Sequence, residues 1–145
     1  MEEISKQLNN FLSDLNVFYR KLQNYHWNVK GKDFFVLHAK LEEYYNEINT
    51  QIDEIAEHIL ILGEQPLGTM QDYLENTQIE EAKNEKIQDK EIYGKVKGDL
   101  ESLLKSVTNI KKVADEKNLY ATSSLMDDYI SDYGKKLWML NQSMI

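Results

Sequence analysis

Residues 37–62 have the clearest helical periodicity in the chain, and their sequence is LHAKLEEYYNEINTQIDEIAEHILIL. Apolar side chains recur in this stretch at intervals of three and four residues, which is the spacing of one face of an α-helix. Polar and acidic residues fill the other positions, so the segment predicts a long amphipathic helix whose apolar stripe must pack against other helices. The stripe consists of Leu37, Leu41, Tyr44, Ile48, Ile52, Ile55, Ile59 and Leu62.

Three further segments have the same periodicity, and no segment alternates with period two, so we expect helices and no sheet. Gly31 is placed to close the first helix, Asp33 to cap the second, and Gly63 with Pro66 to end it. The other three stripes are Ile4, Leu8, Phe11, Leu15, Phe18, Leu22 and Tyr25; Ile92, Val96, Leu100, Leu103, Val107, Ile110 and Val113; and Met126, Ile130, Tyr133, Leu137, Leu140 and Met144.

The connections predict the topology. The links around Gly31 and Asn118 are short, so each joins two antiparallel helices, and Thr122 or Ser123 is expected to cap the last one. Residues 63–88 are polar and long enough to cross the whole bundle, with one short amphipathic piece at 70–74. We therefore expect residues 1–145 to form one all-α domain, a four-helix bundle with one long crossover, which is the ferritin-like arrangement.

Composition excludes several kinds of protein. There is no cysteine, which rules out disulfides and thiolate metal sites and fits a reducing cytoplasm. No apolar run is long enough to span a membrane, and the N-terminus has no signal-like segment. The formal net charge of −8 disfavours contact with nucleic-acid phosphates. We expect the lysine pairs 111–112 and 135–136 to be solvated on helix faces.

Residues that could bind a metal lie in one row on the second helix. His38 and Glu42 are four residues apart, and so are Asp53 and Glu57. At ~100° per residue these four positions fall within an arc of about 100°, whereas His58 points away and is expected to be solvated. Glu42 and Asp53 are ~16 Å apart along the axis, too far to share one ion in one chain. A second copy lying antiparallel, with a two-fold axis near Glu47 and Ile48, would bring the pairs together.

His26 ends the first helix, and the antiparallel turn can bring it close to His38, with Trp27 as an apolar wall. A ligand set of imidazole and carboxylate without sulfur suits iron, zinc or manganese. The Glu-x-x-His pairs of a di-iron centre inside one bundle are absent, because Gln23, Phe35 and Ile55 precede the histidines by three residues. A solvated acidic helix face remains the alternative interpretation of the row.

These motifs are similar to those of the Dps family, the DNA-binding proteins from starved cells, also called mini-ferritins. The resemblance rests on His26 and His38, separated by eleven residues, then Asp53 and Glu57, and the bundle layout extends it over the whole chain. The supporting motifs are Tyr25-His26-Trp27, Gly31, Phe34-Phe35, Leu37-His38, residues 53–57 (DEIAE), Gly63 and Trp138-Met139.

The resemblance implies a dodecameric shell that stores ferric oxide and oxidises ferrous iron at sites on two-fold dimer interfaces. One subunit would supply His26, His38 and Glu42, and its partner Asp53 and Glu57. Hydrogen peroxide, or else oxygen, would be the oxidant, which would protect the cell against oxidative damage. Many members have aspartate at Glu42, so this longer side chain binds iron either directly or through a bridging water.

The chain departs from the family in two places. No lysine-rich tail flanks the helices, which together with the charge counts against DNA binding. Tyr120 and Ser124 stand where acidic pore residues are often found, which leaves Asp115, Glu116, Asp127 and Asp128 as alternatives for iron uptake. Two rival functions stay open: a chromosome-compacting shell with idle metal sites, and an assembly that binds zinc or manganese without turnover.

Overall fold

The computed structural model describes residues 1–144 and contains five helices and one short pair of strands. Four helices are long, and the fifth is a single short helix within the crossover, as the sequence predicts. In chain order the elements are α1 (Glu2–Asn28), β1 (Val29–Lys30), α2 (Phe34–Ile61), α3 (Met70–Asn76), β2 (Ile87–Gln88), α4 (Asp89–Glu116) and α5 (Tyr120–Ser143).

The side-chain contacts fix the direction of each helix. His26 stacks on His38 and Tyr19 packs on Tyr45, so α1 and α2 run antiparallel. Lys21 on α1 pairs with Asp99 on α4, near the point where β1 and β2 pair, so α4 is also antiparallel to α1. Helices α2 and α4 are therefore parallel, which confirms the ferritin-like bundle with a long crossover.

The predicted stripes form the core. Every stripe residue of α1 and α4 is buried, and burial of each large apolar side chain contributes roughly 1.5–3 kcal/mol. The stripes of α2 and α5 are less complete: four members are half-buried, and Met144 is exposed. These half-buried residues are Ile52, Leu62, Ile130 and Leu137.

Two side chains of α1 hold the crossover in place. The Asn9 amide accepts a hydrogen bond from the Leu67 backbone N–H and donates one to the Gln65 carbonyl. Farther along α1, the carboxylate of the buried Asp14 accepts hydrogen bonds from the Thr77 hydroxyl (2.7 Å) and the Gln78 backbone N–H (2.9 Å). Polar side chains of α1, the half-buried Asn9 and the buried Asp14, thus hold the crossover against the bundle.

The turn between α1 and α2 requires glycine at position 31. Gly31 has φ +128°, and a Cβ atom added there would lie 2.4 Å from an Asp89 carboxylate oxygen. Asp89 is kept there because it accepts hydrogen bonds from the backbone N–H groups of Asp33 and Lys90. Both the backbone conformation and the close carboxylate exclude a side chain. The turn therefore holds the end of α1 and the start of α2 against the start of α4.

Two details of the predicted secondary structure were wrong. The chain forms a parallel strand pair, with Val29 opposite Ile87, although two residues per strand are too few to produce a recognisable alternation. Thr122 and Ser123 are not caps: α5 begins at Tyr120, and both residues are buried inside it. Within residues 1–144, no helix is long and apolar enough to cross a membrane.

Candidate metal centre

His26 and His38 hold each other in place across the α1–α2 turn. The Nδ1 atom of His26 lies 2.6 Å from the His38 carbonyl oxygen, and His38 Nδ1 lies 2.7 Å from the His26 carbonyl oxygen. A carbonyl only accepts, so each Nδ1 carries the hydrogen, and each Nε2 has its lone pair free for a metal ion. The His26 carbonyl is available because it lies in the last turn of α1, where helix carbonyls lack partners.

Aromatic packing fixes the planes of the two imidazoles. The rings of His26 and His38 are stacked, with centroids 3.7 Å apart and planes inclined by 10°. Phe34 stacks on the outer face of His38 at 5.0 Å, and Tyr45 places its ring edge-to-face against His26 at 5.4 Å. The orientation of both imidazoles is therefore fixed by contacts within a single chain.

Glu42 completes this half of the candidate site. Its Oε1 atom lies 3.6 Å from Nε2 of the buried His26, which is too long for a hydrogen bond. An ion bound at about 2 Å from both atoms would fit between them. The Glu42 side chain is 55% exposed, so it can move toward a metal ion or toward a bridging water.

Asp53 and Glu57 lie apart from the other three residues. Both are exposed on α2, and neither makes an ion pair or side-chain hydrogen bond within residues 1–144. Because α2 is one continuous helix from Phe34 to Ile61, the ~16 Å separation of Glu42 from Asp53 holds in the folded chain. In the described part of one chain, no three His, Asp or Glu side chains are grouped closely enough to hold a metal ion.

His58 is buried, so the prediction that it is solvated was wrong. Its side chain lies against α5, where Nε2 is 2.8 Å from the Thr122 hydroxyl. Burial lowers the pKa of His58, and the nearby Glu54 carboxylate opposes this shift. The helical projection placed His58 correctly away from the row of candidate ligands, but it could not show that a second helix covers that side of α2.

Two of the four lysines that were expected to be solvated have partners in the structure. Lys136 is buried, and its ammonium group lies 2.6 Å from both the Glu47 and the Asp132 carboxylates. Lys111 lies 2.9 Å from Asp127, and its Nζ is 3.9 Å from the Asp115 carboxylate. Two of the four candidate residues for iron uptake, Asp115 and Asp127, are therefore paired with a lysine. The sequence could not indicate the pairing with Asp127, because it depends on how α4 and α5 pack together.

Buried polar residues between α2 and α5 were also missed. The Tyr129 hydroxyl donates a hydrogen bond to Glu54, and the Tyr133 hydroxyl donates one to Gln51. Desolvation by burial raises the pKa of both phenols, so they are neutral donors. In the sequence, the one indication of these buried polar contacts was that Gln51 and Tyr133 lie on the core side of their helices.

Comparisons with known proteins agree with the fold. A profile of the ferritin-like domain family matches residues 5–144. The DNA protection during starvation protein 2 of Bacillus anthracis is 37% identical over 139 residues, which cover 96% of this chain and 94% of that protein.

Two solved structures show the same backbone. The Dps protein of Vibrio cholerae, described as a member of the ferritin-like diiron-carboxylate superfamily, superimposes with a TM-score of 0.95 at 38% identity, covering 99% of this chain and 90% of that one. Dps from Staphylococcus aureus gives a TM-score of 0.96 at 30% identity, covering 100% and 97% of the two chains.

Proposed function

This chain is a member of the Dps family of ferritin-like proteins, and from that premise we propose that it is a ferroxidase. Its substrate is ferrous iron, its oxidant is hydrogen peroxide or else oxygen, and its product is stored as ferric mineral. Membership of the family supports iron storage and oxidative protection in general. The geometry of α2 supports a dimer interface as the location of the reaction.

The observation that carries the proposal is the division of five ligand-type residues into two incomplete groups. His26, His38 and Glu42 form one group, and Asp53 with Glu57 forms the other, ~16 Å away along a continuous helix. Neither group alone offers the four to six ligands that iron usually takes. Each group becomes complete when it meets the other group of a second copy.

The exposed face of α2 supports an antiparallel pairing of two copies. Phe35 and Leu60 lie near its ends, on the same face as Glu42 and Asp53, and their side chains are 84% and 55% exposed. When His38 is opposite the partner subunit's Glu57, Phe35 is opposite the partner subunit's Leu60. Two apolar contacts would then flank the polar middle of the helix pair, and each would remove apolar surface from water.

The level of the two-fold axis is also consistent with this pairing. Ile48 is buried, and Glu47 pairs with Lys136 on α5, so neither side chain points toward the proposed partner. Asn46 and Asn49 occupy the exposed face at that level. The interface would therefore bring uncharged amides together at its centre, where like charges of two copies would repel each other.

The proposed chemistry follows from the ligand types. The free Nε2 atoms of His26 and His38 would bind ferrous iron, and Asp53 and Glu57 of the partner subunit would add the carboxylate oxygens that favour ferric iron. Ferrous iron gives electrons to the oxidant, and the protein supplies position and charge. We propose a dodecameric shell built from these dimers, as the resemblance implies; zinc or manganese would compete for the same ligands.

Replacing one imidazole ligand tests the proposed site. We expect His38→Ala to lose fast oxidation after anaerobic loading with ferrous iron and addition of peroxide, while assembly is retained. The matched control is His58→Gln, which removes a histidine on the same helix but keeps a group that can bond to Thr122. An oxidation rate in the His38 variant equal to that of the wild type would refute the site. A wild-type assembly that binds ferrous iron without oxidising it would favour the rival function, metal binding without turnover.

A further inference from the structure

A continuous series of aromatic contacts leads from the imidazole pair along the α1–α2 hairpin. The ring of Tyr45 contacts His26, with centroids 5.4 Å apart and planes inclined by 83°. The ring of Tyr19 contacts Tyr45 on the other side, at 5.9 Å and 86°. Both tyrosines are half-buried. Tyr45 is thus an oxidisable phenol in direct contact with a proposed iron ligand, and a second phenol lies directly behind it.

Electron counting shows what such a phenol could supply. Hydrogen peroxide accepts two electrons when it is reduced to water, whereas one ferrous ion gives one. A site that holds a single ferrous ion is therefore one electron short, and one-electron cleavage of the O–O bond would release a hydroxyl radical. A donor next to the iron ligands would allow complete reduction even at low iron occupancy.

We infer that Tyr45 supplies this second electron and that Tyr19 shares the resulting radical, an inference that rests on the proposed ferroxidase function. In the step, the O–O bond of peroxide breaks, one electron leaves the ferrous ion and one leaves Tyr45. The phenolic proton and one proton from solvent complete two water molecules. The products are one ferric ion, one tyrosyl radical and two waters, and the next ferrous ion with a proton restores the phenol.

The surroundings of Tyr45 suit this step. Its half-buried side chain lies between the imidazole of His26 and the phenol of Tyr19. The edge-to-face contact with Tyr19 lets the radical move away from the iron, from α2 to α1. Tyr45 thus combines contact with the ligand ring and a defined second acceptor, whereas a tyrosine that serves packing alone needs neither.

The test compares three phenylalanine variants, each of which keeps the aromatic ring and removes only the hydroxyl group. Tyr45→Phe and Tyr19→Phe alter the proposed pathway, and Tyr73→Phe is the control because Tyr73 is half-buried but lies on α3. Each protein is loaded anaerobically with one ferrous ion per site, mixed with peroxide and frozen. Electron paramagnetic resonance then reports radicals, and a spin trap in parallel samples reports released hydroxyl radical.

The expected wild-type result is a tyrosyl signal with little trapped hydroxyl radical. Tyr45→Phe should lose the tyrosyl signal and increase the amount of trapped hydroxyl radical. Tyr19→Phe should keep a radical on Tyr45 that decays there without moving to a second tyrosine. Tyr73→Phe should match the wild type. A radical that persists in Tyr45→Phe, for example on Trp27, would overturn the inference, and so would wild-type iron oxidation with no protein radical. Failure of the wild type to oxidise iron would instead refute the proposed function on which the inference rests.

Discussion

The two halves of the candidate site differ in how completely one chain builds them. The histidine half is rigid: two imidazoles are stacked at 3.7 Å and each bonds to the other's backbone carbonyl. The carboxylate half is open, with Asp53 and Glu57 exposed and without partners in the described residues. The difference shows that one chain fixes the two imidazoles but not the two carboxylates. In the proposed site, a second copy would position the carboxylates.

The largest expected effect comes from disrupting contact between the halves without altering either one. Phe35→Asp would place a charge opposite the partner subunit's Leu60 at two symmetric positions. Because burial of a phenylalanine contributes roughly 1.5–3 kcal/mol, we expect the dimer to weaken by at least about 100-fold. Analytical ultracentrifugation would measure this loss, with fast iron oxidation lost in parallel.

A neighbouring residue provides the control for this variant. Val36 is also exposed, at 70%, but it lies ~100° around the helix from Phe35. Val36→Asp should leave the two-fold dimer intact. Equal weakening by both substitutions would mean that α2 does not form the proposed interface, or forms it with a different face.

Much of this architecture could be predicted from spacing alone, since each long helix has one stripe and the stripes fix the core. The proximity of His26 to His38 followed from a short turn, and the separation of Glu42 from Asp53 followed from an unbroken helix. His58 and Lys136 could not be placed, because a helical projection assumes one packing partner and α2 contacts both α1 and α5. The position of the Asp89 carboxylate against Gly31 depends on a contact between distant segments.

The second effect concerns the rigidity of the histidine half. Gly31→Ala would force a side chain into a positive-φ position and against the Asp89 carboxylate. We expect a loss of roughly 1–3 kcal/mol in the free energy of unfolding, measured by denaturant titration. Gly68→Ala is the control, because a Cβ atom there meets no atom within 4 Å. Equal stability of both variants would show that the turn can relax.

The smallest effect concerns pH, through a group outside both halves. Burial lowers the pKa of His58 in the folded chain, so the unfolded chain binds its proton more readily. Stability should therefore be fully present above the unfolded pKa of about 6.5 and fall as pH drops through the folded pKa. In His58→Gln, the midpoint of thermal unfolding should depend less on pH over this range. If the dependence is unchanged, groups other than His58 cause the loss of stability in acid.

A site shared between two subunits can be tested by mixing two variants that are each expected to be inactive, His38→Ala and Asp53→Asn, with a different tag on each. In a mixed dimer, one site would have both defects, and the other would combine an intact histidine half with an intact carboxylate half. Because random mixing gives mixed dimers half of the time, we predict recovery of about one quarter of wild-type fast iron oxidation. Recovery confined to mixed dimers would support a site shared between subunits. No recovery in mixed dimers, or full activity of Asp53→Asn alone, would contradict it.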